Sequence, residues 1–198
     1  MARSPDPAVR VALIEAAARL LATDGLDALS IRKVATEVGS STMAVYTHFG
    51  SKDDLVAAVV EEAFARLHAE LVSVPPTDDP VTDLLGAAGA YRRNALANAH
   101  LYRVMFGLNP LTLTDPAVEE HRSNRRDVGL QAFGALVDGV ARCVDAGALR
   151  GDPAELALQM WATAHGAVSL ELAGFLGPDG KATFDAATTA TFVGLAGQ

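Results

Sequence analysis

Cysteine is nearly absent from this sequence: Cys143 stands alone among 198 residues. One thiol cannot close an internal disulfide, so packing must hold the fold, and the chain fits a reducing compartment. Long uncharged apolar runs are missing as well. No stretch reaches the roughly 18 residues that a transmembrane helix needs, so no membrane partner is expected. Met1 to Pro7 carries one arginine, then serine, proline and aspartate, with no apolar segment behind it. That is not the pattern of a secretory signal, and a cytoplasmic protein is expected. Catalytic signatures are lacking too. There is no nucleophile elbow, no phosphate-cradling G-x-x-x-x-G-K-S/T loop and no G-x-G-x-x-G. His48, His68, His100, His121, His165 and Cys143 fall into no metal-ligand spacing. The expectation is therefore no enzyme, no catalytic residue, no metal and no cofactor.

A basic surplus is also missing, and this bears on nucleic-acid binding. Net charge is -8. Residues 1–55 hold 6 Lys+Arg and 7 Asp+Glu, a net of -1; residues 56–198 hold the other 10 and 17, a net of -7. The acidity lies in the C-terminal part, and the N-terminal part is close to neutral. Any contact with DNA phosphates must come from a few placed groups and from backbone N–H groups at helix N-termini.

What is present is helical periodicity almost throughout, in a chain that is 50% hydrophobic. Asp6-Pro7 reads as a cap and first helical residue, with Val9, Leu13, Ala17, Leu20 and Leu21 on one face up to Asp24-Gly25. Ser30 caps a short helix, Ile31 to Val38; Gly39 stops it. Ser41 caps a second, Thr42 to about Thr47. Ser51 caps a long one to about Val72, with Asp53 and Asp54 in the first turn, where the macrodipole favours them. The proline-rich 74–80 stretch is the best linker candidate. Helices are expected from Val81 to Asn98 and from His100 to Phe106. Gly107 to Thr114 reads as a loop. A helix from Asp115-Pro116 to Ala146 carries Gly129, Gly134 and Gly139, where a kink or a close helix contact fits. The last helices run from Asp152-Pro153 to Leu176 and from Thr183 to Leu195, with a turn at 177–180 between them. The fold class is all-α with about nine helices. Its organisation is a three-helix head over residues 1–55 and a helical body over residues 56–198.

Two short helices joined by a glycine-containing turn form a helix-turn-helix. Val34, Val38, Val45 and Phe49 return both helices to one core, and Ala35 is small where they cross. The second helix then presents Thr42, Met43, Tyr46, Thr47 and His48. Thr42 can hydrogen-bond a base edge or touch a thymine methyl, whereas Met43 makes only apolar contacts. Tyr46, His48 and Lys52 suit phosphate oxygens; Tyr46 also reads as a core aromatic and Lys52 as a solvated first-turn residue. Ser41 leaves N–H groups pointing at whatever approaches. Ser30 and Arg32 read either as a cap and a surface charge or as phosphate contacts.

The segment SIRKVATEVGSSTMAVYTHFGSKDDL, Ser30 to Leu55, resembles the DNA-binding signature of the tetracycline-repressor (TetR) family. The matching positions are Val34-Ala35, Gly39, Ser41, Val45-Tyr46, His48-Phe49, Lys52 and Leu55. Ser40 departs from it, standing where the family has an apolar residue. The resemblance implies a homodimer whose heads bind a palindromic operator in double-stranded DNA. It also implies a C-terminal body that dimerises and holds a small-molecule effector, whose binding spreads the heads and releases DNA. Trp161, His165 and Gly166 resemble a family subset with a Trp…His-Gly motif in the body.

Under that resemblance the ligand-site candidates are Tyr91, Tyr102, Met105, Phe106, Phe133, Trp161 and His165; core packing is the competing reading. Trp161 and His165 are four apart and share a helix face. His165 suits a ligand hydrogen bond or a buried carbonyl equally. Arg92 and Arg93 read as solvated, with an acidic ligand as the alternative. Ala157, Ala164, Gly166, Ala167 and Ala173 permit close approach of a partner helix at a dimer interface, or serve an intramolecular core. The function expected is a ligand-released repressor. The alternatives are a small-molecule binding protein with a vestigial head and, least supported, an all-α enzyme.

Overall fold

The computed structural model describes residues 6–107 and 119–197. Among them are nine α-helices and no strand. They are α1 (Pro7–Asp24), α2 (Ile31–Glu37), α3 (Thr42–Phe49), α4 (Lys52–Val72), α5 (Pro80–Ala97), α6 (Ala99–Gly107), α7 (Glu119–Asp145), α8 (Pro153–Leu172) and α9 (Gly180–Ala196). The all-α expectation holds. Of the loop expected over Gly107 to Thr114, Gly107 instead closes the last turn of α6, and the rest, with the helix start at Asp115-Pro116, lies outside the described residues. α8 ends four residues earlier than the periodicity predicts, and a 3-10 turn at Gly177–Asp179 leads directly into α9.

The chain packs as two compact units, residues 1–65 with 98–129 and residues 66–97 with 130–198. Neither is a single stretch of sequence. In the first unit, α1 packs on α2 and α6, and α2 on α3. Leu13, Ile14, Leu29, Val34, Val45 and Leu55 are its dry core. A side chain of that kind contributes about 1.5–3 kcal/mol when fully buried. In the second unit, α8 packs against α5 and α9. Its core joins Leu84, Val140, Cys143, Leu149, Leu156, Met160, Phe192 and Leu195.

Of the three α7 glycines read as a kink or close contact, two make a close contact within a unit, while a Cβ on Gly134 would meet nothing within 4 Å. A Cβ on Gly129 would lie 3.4 Å from the Phe64 ring, and one on Gly139 would lie 3.4 Å from Leu84. The proline-rich segment is stitched rather than loose. The Asp83 carboxylate accepts from the Thr77 backbone and hydroxyl, both at 2.7 Å, and from Arg142 at 2.8 Å. These donors hold its pKa below the ordinary value, with the Thr77 backbone N–H the largest cause.

Candidate nucleic-acid interface and body site

The turn between α2 and α3 is built by local chemistry. The Ser30 hydroxyl accepts from Lys33 N–H at 3.2 Å, and the Ser41 hydroxyl accepts from Ala44 N–H at 3.1 Å, so each helix has its side-chain cap. Gly39 has φ +65°, in the left-handed region that side chains resist. Its N–H reaches the Thr36 carbonyl at 3.2 Å and the next N–H, of Ser40, reaches Ala35 at 2.8 Å. This is a Schellman closure, which turns the chain sharply enough to start α3 three residues later. Ser40 therefore leaves the backbone of the turn intact; it is half-buried.

Val45 and Phe49 are buried, and they fix which face of α3 looks outward. Thr42, Met43, Tyr46 and Thr47 are exposed, Met43 by 71% and Tyr46 by 50%. Tyr46 is thus no core aromatic. His48 is half-buried, its ring centroid 6.0 Å from that of Phe49. Ser30 and Ser41 are exposed caps.

Most cations among the described residues of this unit are already engaged. Arg19 forks onto Glu37 at 2.7 Å. Lys33 donates to the Ala28 carbonyl at 3.2 Å and lies 3.6 Å from Asp24. The Arg10 guanidinium lies 5.4 Å from the centre of the Phe49 ring. Lys52 is not simply solvated: its ammonium donates to the Leu26 carbonyl at 3.0 Å. Arg32 is exposed and has no partner among the described residues. Among the described residues of the nearly neutral 1–55 stretch, Arg32 is therefore the uncommitted guanidinium.

In the other unit, four of the seven ligand-site candidates come together. The Trp161 indole N–H donates to the Tyr91 hydroxyl at 3.4 Å, and that hydroxyl lies 3.2 Å from His165 Nδ1. The Phe133 and Trp161 ring centroids are 5.8 Å apart, and those of Trp161 and His165 are 6.3 Å apart, edge to face. With Trp161 as donor, the tyrosyl proton can point at Nδ1, which requires a neutral imidazole. Burial favours that state, holding the His165 pKa below its ordinary 6.5. The remaining three candidates are Tyr102, Met105 and Phe106. They belong to the first unit, where Tyr102 and Phe106 stack edge to face at 4.9 Å and Phe106 meets Phe64 at 6.4 Å.

Two features escaped sequence reading. Arg92 is not a solvated arginine: its guanidinium forks onto Glu171, with Nε to Oε2 at 2.7 Å and Nη2 to Oε1, and the side chains are only 16% and 14% exposed. No local signal links residues 79 apart. Arg93 is exposed and meets Glu70 at 3.2 Å. In the same unit His68 Nδ1 is buried with no partner among the described residues. Of the small residues read as an interface, Ala157, Ala164 and Ala167 are buried, while Gly166 and Ala173 are exposed.

Comparison with known proteins matches both regions. Residues 13–59 fit the family described as bacterial regulatory proteins, tetR family, and residues 84–191 fit the tetracyclin repressor-like C-terminal domain. An HTH-type transcriptional regulator of Mycobacterium tuberculosis is 31% identical over 172 residues, spanning 84% of this chain and 72% of its own length. The class A tetracycline repressor protein of Escherichia coli is 36% identical over 99 residues, 50% of this chain but 45% of the repressor's length. A solved structure of a Rhodococcus sp. RHA1 protein superimposes with a TM-score of 0.78 at 30% identity, covering 99% of this chain and all of that one.

Proposed function

From the premise that this chain belongs to the tetR family of bacterial regulatory proteins, and is thus a DNA-binding transcriptional regulator, we propose that it is a cytoplasmic homodimeric repressor which a small-molecule effector releases from a palindromic operator. The single observation that carries the reading is α3: a capped helix with a buried Val45–Phe49 side and an outward face of Thr42, Met43, Tyr46 and Thr47.

The proposed DNA contacts are Ser30, Arg32, Ser41, Thr42, Met43, Tyr46, Thr47, His48 and Lys52. An ammonium has three donors, so Lys52 keeps two N–H groups for a phosphate while it holds Leu26. With so few cations, one head binds weakly, and two heads must act together across successive major grooves, about 34–36 Å apart. The head is proposed to span 1–55 and the ligand-binding and dimerising body 56–198. The exposed Gly166 and Ala173 support a partner helix meeting α8.

The effector site is proposed on Tyr91, Phe133, Trp161 and His165, the group that carries the Trp…His-Gly resemblance. Ring faces with a few convergent polar atoms are what small-molecule sites are made of. The effector acts by binding one geometry of the dimer better than the other.

Titrating the protein onto DNA from upstream of its own gene, at several salt concentrations, tests this. Affinity well above that for random DNA supports a specific regulator, and equal affinities overturn it. Loss of that preference on adding a compound that binds the body supports the release step.

A further inference from the structure

The side chains on the outward face of α3 say what kind of base edge they can read. Adenine and guanine are usually selected by paired hydrogen bonds from an amide or a guanidinium, and cytosine by a carboxylate acceptor. Between Thr42 and Phe49 there is no Asn, Gln, Arg, Lys, Asp or Glu. The remaining polar groups are hydroxyls and the half-buried His48 imidazole, and two nearby hydroxyls are committed to backbone. The Thr47 hydroxyl donates to the Met43 carbonyl at 2.8 Å, and the Ser41 oxygen accepts from Ala44 N–H. With its hydroxyl folded back on the helix, Thr47 offers its methyl outward. Met43 lies four residues earlier on the same face and is 71% exposed. The centre of the recognition face, opposite the buried Val45 and Phe49, is therefore apolar.

One feature of the major-groove floor matches such a surface, the C5-methyl of thymine. Resting on the reading of this chain as an operator-binding regulator, we infer that the operator is specified by thymine methyl groups packed against Met43 and Thr47, in half-sites with A·T pairs at those positions. Arg32, Tyr46 and Lys52 then hold register on the phosphates and carry no sequence information.

The test uses the full-length protein. Bound duplexes are selected from a random library, and each thymine of the selected site is then replaced by deoxyuridine, which lacks only the methyl. At least one thymine per half-site should prove sensitive. Losing one methyl contact should weaken binding about fourfold, and about 15-fold when both half-sites are changed. Met43→Ala and Thr47→Ser, both at exposed positions, should each bind the thymine site more weakly. One or both should also erase the difference between thymine and uracil. A selected site insensitive to uracil at every position overturns the inference and leaves the regulator reading standing. So does a uracil effect that persists in both variants, since it then arises from duplex shape. If the selection enriches no sequence at all, the regulator reading fails and the inference fails with it.

Discussion

The Lys52 ammonium donates to the carbonyl of Leu26, 26 residues earlier in the chain, at 3.0 Å. The first residue of α4 is thereby tied to the loop between α1 and α2. A basic residue in a helix-turn-helix signature invites the thought of phosphate alone, yet here part of its work is to hold the motif's frame. Lys52→Met should cost the N-terminal unit about 1 kcal/mol, measured by urea unfolding. It should also flatten the dependence of log affinity on log salt by about 1.8, for two subunits losing one phosphate contact each. A stability change with no change in slope would leave Lys52 a framing role only.

Arg32 should behave in the opposite way. It is exposed and has no partner among the described residues, so Arg32→Ala should change stability by less than about 0.5 kcal/mol. DNA binding should nonetheless lose about 1.8 from its salt slope. Arg19→Ala, which breaks the pair with Glu37, should leave the slope alone.

His165 gives the body a pH dependence of known sign. Its folded pKa lies below the ordinary 6.5 because burial penalises the charged ring. Above that ordinary value neither state holds the proton and His165 contributes nothing to the pH dependence. As pH falls through it, the unfolded chain takes up a proton that the folded site resists, so stability falls. Urea unfolding at pH 7.5 and 5.5 should show this loss. It should be smaller in His165→Gln, which cannot titrate.

The Arg92–Glu171 pair is a structural contact between α5 and α8, and its partners should be unequal to their sum. Arg92→Met leaves a carboxylate mostly withdrawn from water and should cost about 3 kcal/mol. Adding Glu171→Leu should recover much of that in a double-mutant cycle. Additive losses would show that the two side chains do not act as a unit.

Much of the first unit was legible because its determinants are local. Ser30, Gly39 and Ser41 act on neighbours within five residues, so their capping and turning roles follow from residue type and spacing. Val34, Val45 and Phe49 follow from helical period in the same way. The second unit was less legible. Tyr91, Phe133, Trp161 and His165 were named as candidates alongside Tyr102, Met105 and Phe106, and period alone could not sort them. All seven lie on helical faces rich in apolar neighbours, and which unit each face enters depends on packing between distant segments.

The sequence by itself determined that this chain is all helical, that it carries a helix-turn-helix at 30–55, and which side of α3 turns outward. Capping, turning and amphipathic periodicity act over a few residues and need no knowledge of the rest. Only the tertiary structure decided which charged groups are spent. Arg92 meets Glu171, Lys52 meets Leu26 and Arg19 meets Glu37 because the fold brings together residues 79, 26 and 18 positions apart. A salt bridge or a carbonyl contact leaves no periodic trace in the chain, so the charges left for DNA could be counted only after folding.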